Sequence, residues 1–521
     1  MRYLRCWKQG QWKHISFLHG MVFSQSLAHI VVTANLMPYL MEVLDEKLPK
    51  AAATANIQIG ITSIVSIFAS FLSDAYIGRY QIILYSTIIN IIGLSLLTIA
   101  ASFNSNSNHT VAFRIGLFLI ACGEGGKTPM LKDFGADQLK SNSDEDEDGA
   151  KNRKRVVIWW CIWVSFGAFA GIILLAIVEG HPSRNQHWIL GFGTLAIIMS
   201  IAISIFISGK PFYTYVEPCG SILTRAFNVF VAAFLKKHLD FPPNLNGLRF
   251  LEKAAIIEGS TNLCTITEVE ETKLQIRMIP MWTTFLIYGL VKSLGSTFFL
   301  QQGSHMNREL RIKVPLPILL LFTRYVSGQI TWLNKKMFKK FPTSQQVLNP
   351  TRRIGIGLLF GVLCCSVASS VEARRLKIVN RFDLKDKPKD TIPMSIFWLT
   401  PQFLLLGAMD GFTCNGINDF YYNQVSKSMK SFGPSFMASV IGVGSLLGVI
   451  VMATADAASS QGGRMSWIAD TINKSHLDYF YQALTVLSYI NLLFYAVVAS
   501  KYTYVIGNAD TNLEITNTIS S

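Results

Sequence analysis

The sequence predicts an all-α membrane protein with twelve transmembrane helices in two six-helix bundles. Three observations predict it. Runs of roughly 20 nearly uncharged residues recur along the chain, each long enough to cross a ~30 Å hydrocarbon slab as a helix. Charged residues make up only 15% of the 521 positions and hydrophobic ones 50%, against about 25% charged in a soluble domain. The runs also fall into two sets of six, separated by a polar stretch. These features exclude a soluble globular protein, a disordered chain and a secreted disulfide scaffold. They also exclude a β-barrel, whose spans are about 10 residues of alternating polarity.

The first set of spans lies near 15–40, 53–73, 82–102, 111–131, 156–178 and 188–208. The second lies near 280–301, 316–334, 354–371, 394–422, 433–455 and 478–502. This divides the chain into a first bundle, 1–208, a central cytoplasmic linker, 209–279, and a second bundle, 280–521. The linker carries a candidate amphipathic helix, Phe227–Leu239. The first span follows a basic stretch (Arg2, Arg5, Lys8, Lys13) and precedes no small-residue cleavage site, so it is expected to stay in the membrane. An even number of spans puts both termini on one side. In the first half Arg79, Lys140, Lys151, Arg153, Lys154 and Arg155 share that side, against Lys47, Lys50 and Arg184 on the other. Both termini are therefore expected in the cytoplasm. The predicted 372–390 loop runs against the rule: it is expected outside, yet carries Arg374, Arg375, Lys377 and Arg381.

Lys plus Arg number 47 and Asp plus Glu 32, a net charge of +15. The basic residues lie between apolar runs, where lipid headgroups account for them better than nucleic acid does. Cys122, Cys161, Cys364, Cys365 and Cys414 sit inside apolar runs with no C-x-x-C or Cys/His cluster, which reads as packing and gives no metal site. The acidic run Asp144–Asp148 faces Lys151–Arg155 as a loop that compensates its own charge. Asn108-His109-Thr110 is a glycosylation sequon in a short loop. With no G-x-S-x-G, H-E-x-x-H or Walker A pattern, the chain is read as a non-enzyme without a cofactor.

Several motifs carry a family resemblance. Asp74-Ala75-Tyr76-Ile77-Gly78-Arg79 after the second span resembles the D-x-x-x-G-R loop of the major facilitator superfamily. Phe134-Gly135-Ala136-Asp137-Gln138 resembles the F-G-A-D-Q signature of the plant nitrate and peptide transporter family. Cys264 to Glu271, Gln302-Gly303, Pro401-Gln402 and His476 to Tyr481 are similar to that family's pattern in the same order. The resemblance implies a major facilitator fold of two pseudo-symmetric bundles with a cleft between them, working by alternating access on nitrate, peptides, hormones or other small metabolites. It also implies a multi-pass protein of the plasma or vacuolar membrane. Gly78 permits a tight turn, and Asp74 and Arg79 are expected to hold one conformation of the bundle rather than touch substrate.

The departures from the pattern shape the functional expectation. Proton-coupled members carry E-x-x-E-R in the first helix. Here the stretch is Val22-Phe23-Ser24-Gln25-Ser26, without either acid or the arginine. Gln25 forms hydrogen bonds but does not exchange protons. Gln25, His29 and Thr33 share one helical face, and His29 titrates near neutrality in an ordinary setting. In the fourth helix, where the family has G-G-x-K-P, the chain reads Gly125-Gly126-Lys127-Thr128-Pro129, which turns the lysine by about 100°. Lys127 is expected either to pair with Glu124 three residues back or to face the cleft with Thr128. Asp410 stands where the family has glutamate, and Lys292 and Arg324 lie within spans, where a cation faces a cavity or a partner. Lys292 is expected to bind an anionic substrate, to pair with Asp410, or to do both in turn.

The expected function is secondary transport of a small anion such as nitrate, with weak or absent proton coupling through helix 1. The substrate-binding candidates are Gln25, His29, Lys127, Thr128, Lys292 and Asp410. Two alternatives stand beside it: a proton-coupled peptide or organic-metabolite transporter using Asp410, and a non-transporting sensor on a transporter fold. The expected partners are a small-molecule substrate and membrane lipid, with protons left open.

Overall fold

The computed structural model describes residues 11–102, 107–138, 147–179, 184–216, 220, 222–236, 249–255, 264–309, 313–340, 349–388, 390–461 and 466–519. Arg2, Arg5 and Lys8 and most of the Asp144–Asp148 run lie outside these. So do the side chains of Asn108 and of Lys151–Arg155, while His109, next in the sequon, is buried against Tyr39.

Each predicted span forms a helix. In chain order these are α1 (Gln11–Glu42), α2 (Leu48–Leu72), α3 (Arg79–Ser102), α4 (Ser107–Asp137), α5 (Glu147–Glu179) and α6 (Arg184–Ser208). After them come α7 (Ile222–Leu235), a short turn α8 (Arg249–Glu252), α9 (Ile266–Leu294), α10 (Phe298–His305) and α11 (Ile318–Lys340). The last four are α12 (Pro350–Arg381), α13 (Thr400–Gln424), α14 (Gly433–Ser459) and α15 (Leu477–Ile519). Among the described residues, nine helices are long and apolar enough to cross a membrane. α4, α11 and α13 fall outside that set because charged and amide side chains sit in mid-helix, and those are the helices that carry Glu124, Arg324 and Asp410.

Three boundaries differ from expectation for local reasons. The seventh span breaks at Gly295–Thr297, between α9 and α10. The tenth begins only at Thr400, because Ile392–Ser395 with Pro393 is extended. The predicted 372–390 loop is corrected for its first half: α12 continues to Arg381. The cause is Arg375, fully buried, which donates to both Glu372 oxygens at 2.7 and 2.6 Å, to Asn473 Oδ1 at 2.9 Å and to the Ile472 carbonyl at 2.7 Å. Arg374 stacks on Trp398 at 3.8 Å. Two of the four cations that broke the charge rule are thus held by specific partners.

The chain forms two compact units: Met1–Arg225 with Ser296–Leu321 and Pro434–Val449, and Ala226–Gly295 with Phe322–Gly433 and Ile450–Ser521. In the first, α3 packs along α4 and α6, α1 along α5 and α6, and α2 along α4. Apolar residues from several helices meet there, among them Leu18, Ile83, Leu131, Phe134, Trp159 and Phe206. Tyr213 closes this cluster, donating to the Phe206 carbonyl at 3.0 Å, and burial pushes its phenol up. The close α2–α4 approach needs Gly125, since a Cβ there would collide with the Thr62 carbonyl.

In the second unit, α12 packs along α13 and α15, and α9 along α15 and α13. The Cys264–Glu271 motif starts α9: Thr265 Oγ1 accepts from the Glu268 amide at 3.3 Å, and the Glu268 carboxylate accepts from the Thr265 amide at 2.9 Å, a capping box. On the surface, the hydrogen bond and charge of Lys474, 2.7 Å from Asp386, hold that carboxyl below its usual range. A pair so exposed adds little to stability.

Gly78 sits at φ +83° and ψ 157° after the π-helical turn Ser73–Ile77, backbone that only glycine adopts freely. Open space surrounds its missing Cβ, so an alanine there meets strain and no clash. Gly78→Ala is expected to lower stability by about 1–3 kcal/mol. Thermal melting of the purified protein checks this, and an unchanged melting temperature would mean that the turn has another way to form.

Candidate functional site

The first unit builds a two-rung ladder between α1 and α4. Gln25 Nε2 donates to Thr128 Oγ1 at 2.7 Å, and one turn along His29 Nδ1 meets Glu124 Oε1. The contacts pair 25 with 128 and 29 with 124, four residues apart on both chains, as antiparallel helices in register do. Thr128 Oγ1 gives its own hydrogen to the Glu124 carbonyl at 2.7 Å, which makes the Gln25 amide the donor. Gln25 Oε1 is then left buried with no protein partner among the described residues. His29 and Glu124 line a cavity of about 110 Å³, with Thr33, Gln58, Thr62 and Ser63 as further polar walls. The His29 side chain is 41% exposed and that of Glu124 14%.

Lys127 is not in that lining. It is fully buried, and its ammonium runs to the Met199 thioether of α6 at 3.5 Å. The Glu124 charge still acts on it, but the Glu124 carboxylate meets His29. The displacement of the lysine by one position has turned it from the α1 side of α4 toward α6.

The conformational motif assembles at the other end of these helices. Arg79 pairs with Asp137, which is buried, and reaches Asp74 at 4.0 Å. Gln138 donates to the Thr214 carbonyl at 3.0 Å and accepts from the Thr214 amide at 2.8 Å. The D-x-x-x-G-R loop and the F-G-A-D-Q stretch therefore form one clamp, with Asp137 nearer to the guanidinium than Asp74.

In the second unit Lys292 Nζ lies 2.5 Å from Asp410 Oδ1. Tyr288, one turn before Lys292, donates to the same oxygen at 2.6 Å, and Lys292 donates to the Tyr288 hydroxyl at 3.2 Å. Ser327 on α11 donates to Asp410 Oδ2 at 3.0 Å. Three donors from α9 and α11 thus hold one α13 carboxylate. The Lys292 side chain remains 34% exposed, and the charge of Arg324 is felt at Lys292. Below this cluster Asn415 donates to Thr331 Oγ1 at 2.7 Å, tying α13 to α11 again.

Glu124 as the partner of His29, Asp137 as that of Arg79, and Tyr288 and Ser327 as donors to Asp410 are partnerships that sequence reasoning did not assign. The four-residue spacing of Gln25 and His29 against that of Glu124 and Thr128 is the signal that identifies the first of them. The i, i+4 spacing of Tyr288 and Lys292 is the signal for the third.

Nine long apolar helices among the described residues, with the His29–Glu124 and Lys292–Asp410 pairs joining neighbouring helices, mark a multi-pass integral membrane protein. The chain belongs to the POT family, which residues 80–468 match. It is a membrane transporter of that family. Over 95% of its length it is similar to Protein NRT1/PTR FAMILY 5.6 of Arabidopsis thaliana, at 32% identity and covering 92% of that protein. NRT1/PTR FAMILY 5.7 of the same plant is similar at 31% identity over 95% of this chain and 89% of its own. In fold it is similar to an auto-inhibited POT family peptide transporter, with a TM-score of 0.70 at 16% identity over 94% of this chain and 97% of the other. The POT family transporter PepTSo gives a TM-score of 0.69 at 16% identity, over 94% and 98%.

Proposed function

We propose that the protein carries a small anionic solute across a membrane by alternating access, on a twelve-span topology, and that nitrate is the solute that fits best. The observation that carries the reading is the charge around Lys292. Lys292 stays 34% exposed although it pairs with Asp410, and the charge of Arg324 is felt beside it. A small anion matches a cation so placed. A zwitterionic peptide also needs a carboxylate for its amino end, and Asp410 is already engaged by Lys292, Tyr288 and Ser327. Lys292 holds Asp410 until an anion competes for the ammonium, so one cation serves as a structural partner and as a binding group. Coupling does not pass through the acid motif of helix 1, whose carboxylates are replaced by Val22 and Gln25.

The test is uptake of labelled nitrate and of a labelled dipeptide by the full chain in proteoliposomes. Nitrate is expected to enter saturably, and the dipeptide neither to enter nor to compete. Dipeptide uptake driven by a proton gradient, with no nitrate uptake, would overturn the anion reading in favour of a peptide carrier that uses Asp410.

A further inference from the structure

We propose that the His29–Glu124 pair is a proton-binding site of the first unit, standing in for the acids missing from the helix 1 motif. An ionised carboxylate only accepts hydrogen bonds, so the Nδ1 that meets Glu124 Oε1 is the donor nitrogen. Nε2 is then the basic nitrogen. A hydronium ion from solvent gives up its proton at Nε2: one O–H bond breaks as the N–H bond forms, a water molecule is released, and the pair passes from imidazole–carboxylate to imidazolium–carboxylate.

Three features of the site support the assignment. The cavity reaches both members of the pair, and the His29 side chain is exposed enough to meet water. Glu124 lies where it stabilises the added charge, as an opposite charge within ~4–6 Å does. The buried Gln25 Oε1, one turn away, is an acceptor that lacks a protein partner among the described residues, and a water there would satisfy it.

The surrounding groups set the sign of the effect. From α2 the cavity is faced by Gln58, Thr62 and Ser63, and from the turn after α9 by Ser296, all of them neutral. From α4 the charged neighbours are Glu124 itself and Lys127, which points to Met199 of α6. Protonation of His29 adds one positive charge to this set. Proton binding therefore makes this unit more hospitable to an anion, and it strengthens the tie between α1 and α4 by turning a hydrogen bond into an ion pair. This last consequence rests on the anion reading of the function, whereas the proton site does not.

The experiment separates the two. Infrared difference spectra between about pH 5 and 8 are recorded on the reconstituted full chain without any transported solute. They are expected to show an imidazole change and a coupled carboxylate change. His29→Asn is expected to remove both, and Glu124→Gln to remove the carboxylate change while an imidazole change stays. Superimposable spectra of wild type and His29→Asn would overturn the proton site, whatever is transported. In proteoliposomes, an inward proton gradient is expected to stimulate labelled nitrate uptake several-fold in wild type and to lose that stimulation in Glu124→Gln. A wild type that shows the spectral changes but takes up no nitrate would overturn the anion reading and leave the proton site standing. Thermal melting of both variants reports whether each is folded, and the spectra of any folded variant decide the question.

Discussion

Replacing Lys292 by alanine is expected to lower nitrate transport by about 10- to 100-fold, the factor that corresponds to losing ~1.5–3 kcal/mol of charge-assisted hydrogen bonding. The protein is expected to remain in the membrane, because Tyr288 and Ser327 still donate to Asp410. The double variant Lys292→Ala with Asp410→Ala separates the two roles of the lysine. If Lys292 serves only to neutralise Asp410, removing both restores transport. If it binds the anion, transport stays lost while thermal stability recovers relative to the single variant. Nitrate uptake by proteoliposomes and melting of the purified protein measure the two outcomes together. Unchanged uptake by Lys292→Ala would end the anion-site reading.

Arg375→Ala is expected to produce the largest loss of stability, about 3–5 kcal/mol, as breaking a buried ion pair by removing one partner does. The Arg375 and Glu372 side chains are 1% and 0% exposed. The guanidinium also joins α12 to Asn473 and to the Ile472 carbonyl. Its loss removes four hydrogen bonds at once and leaves a cavity in a packed region. Lysine is a poor replacement, since it lacks the planar fork that meets both Glu372 oxygens. The measure is the melting temperature in detergent, and a fall of under a degree would show that water replaces the cation at little cost.

The apolar spans were legible in the sequence because hydropathy is a local property, summed over the residues of one helix. Every span the runs indicated is helical. The errors lie where a neighbour decides. Arg375 reads as a loop charge when charges are counted along the chain, and only its partners across space make it part of a helix. The seventh span reads as one continuous apolar run, and the backbone breaks at Gly295–Thr297 without interrupting that run. In the candidate sites, the types of residue were legible and their pairing was only partly so. Pairing with Asp410 was one of the roles open to Lys292, beside binding an anionic substrate. The partnership of His29 with Glu124 is not legible along the chain, because Glu124 sits three residues from Lys127, a nearer candidate on the same helix. The register of α1 against α4 decides that question, and it is not a property of either helix alone.

Whether this protein moves an anion or only senses one is decided by counterflow. Proteoliposomes are loaded with unlabelled nitrate, and the entry of labelled nitrate at trace concentration is followed. A carrier that alternates its access is expected to show entry accelerated several-fold by the internal load, saturating as the load rises. Nitrate that binds to the reconstituted protein yet produces no labelled entry, loaded or not, would contradict transport and identify a receptor built on a carrier's frame.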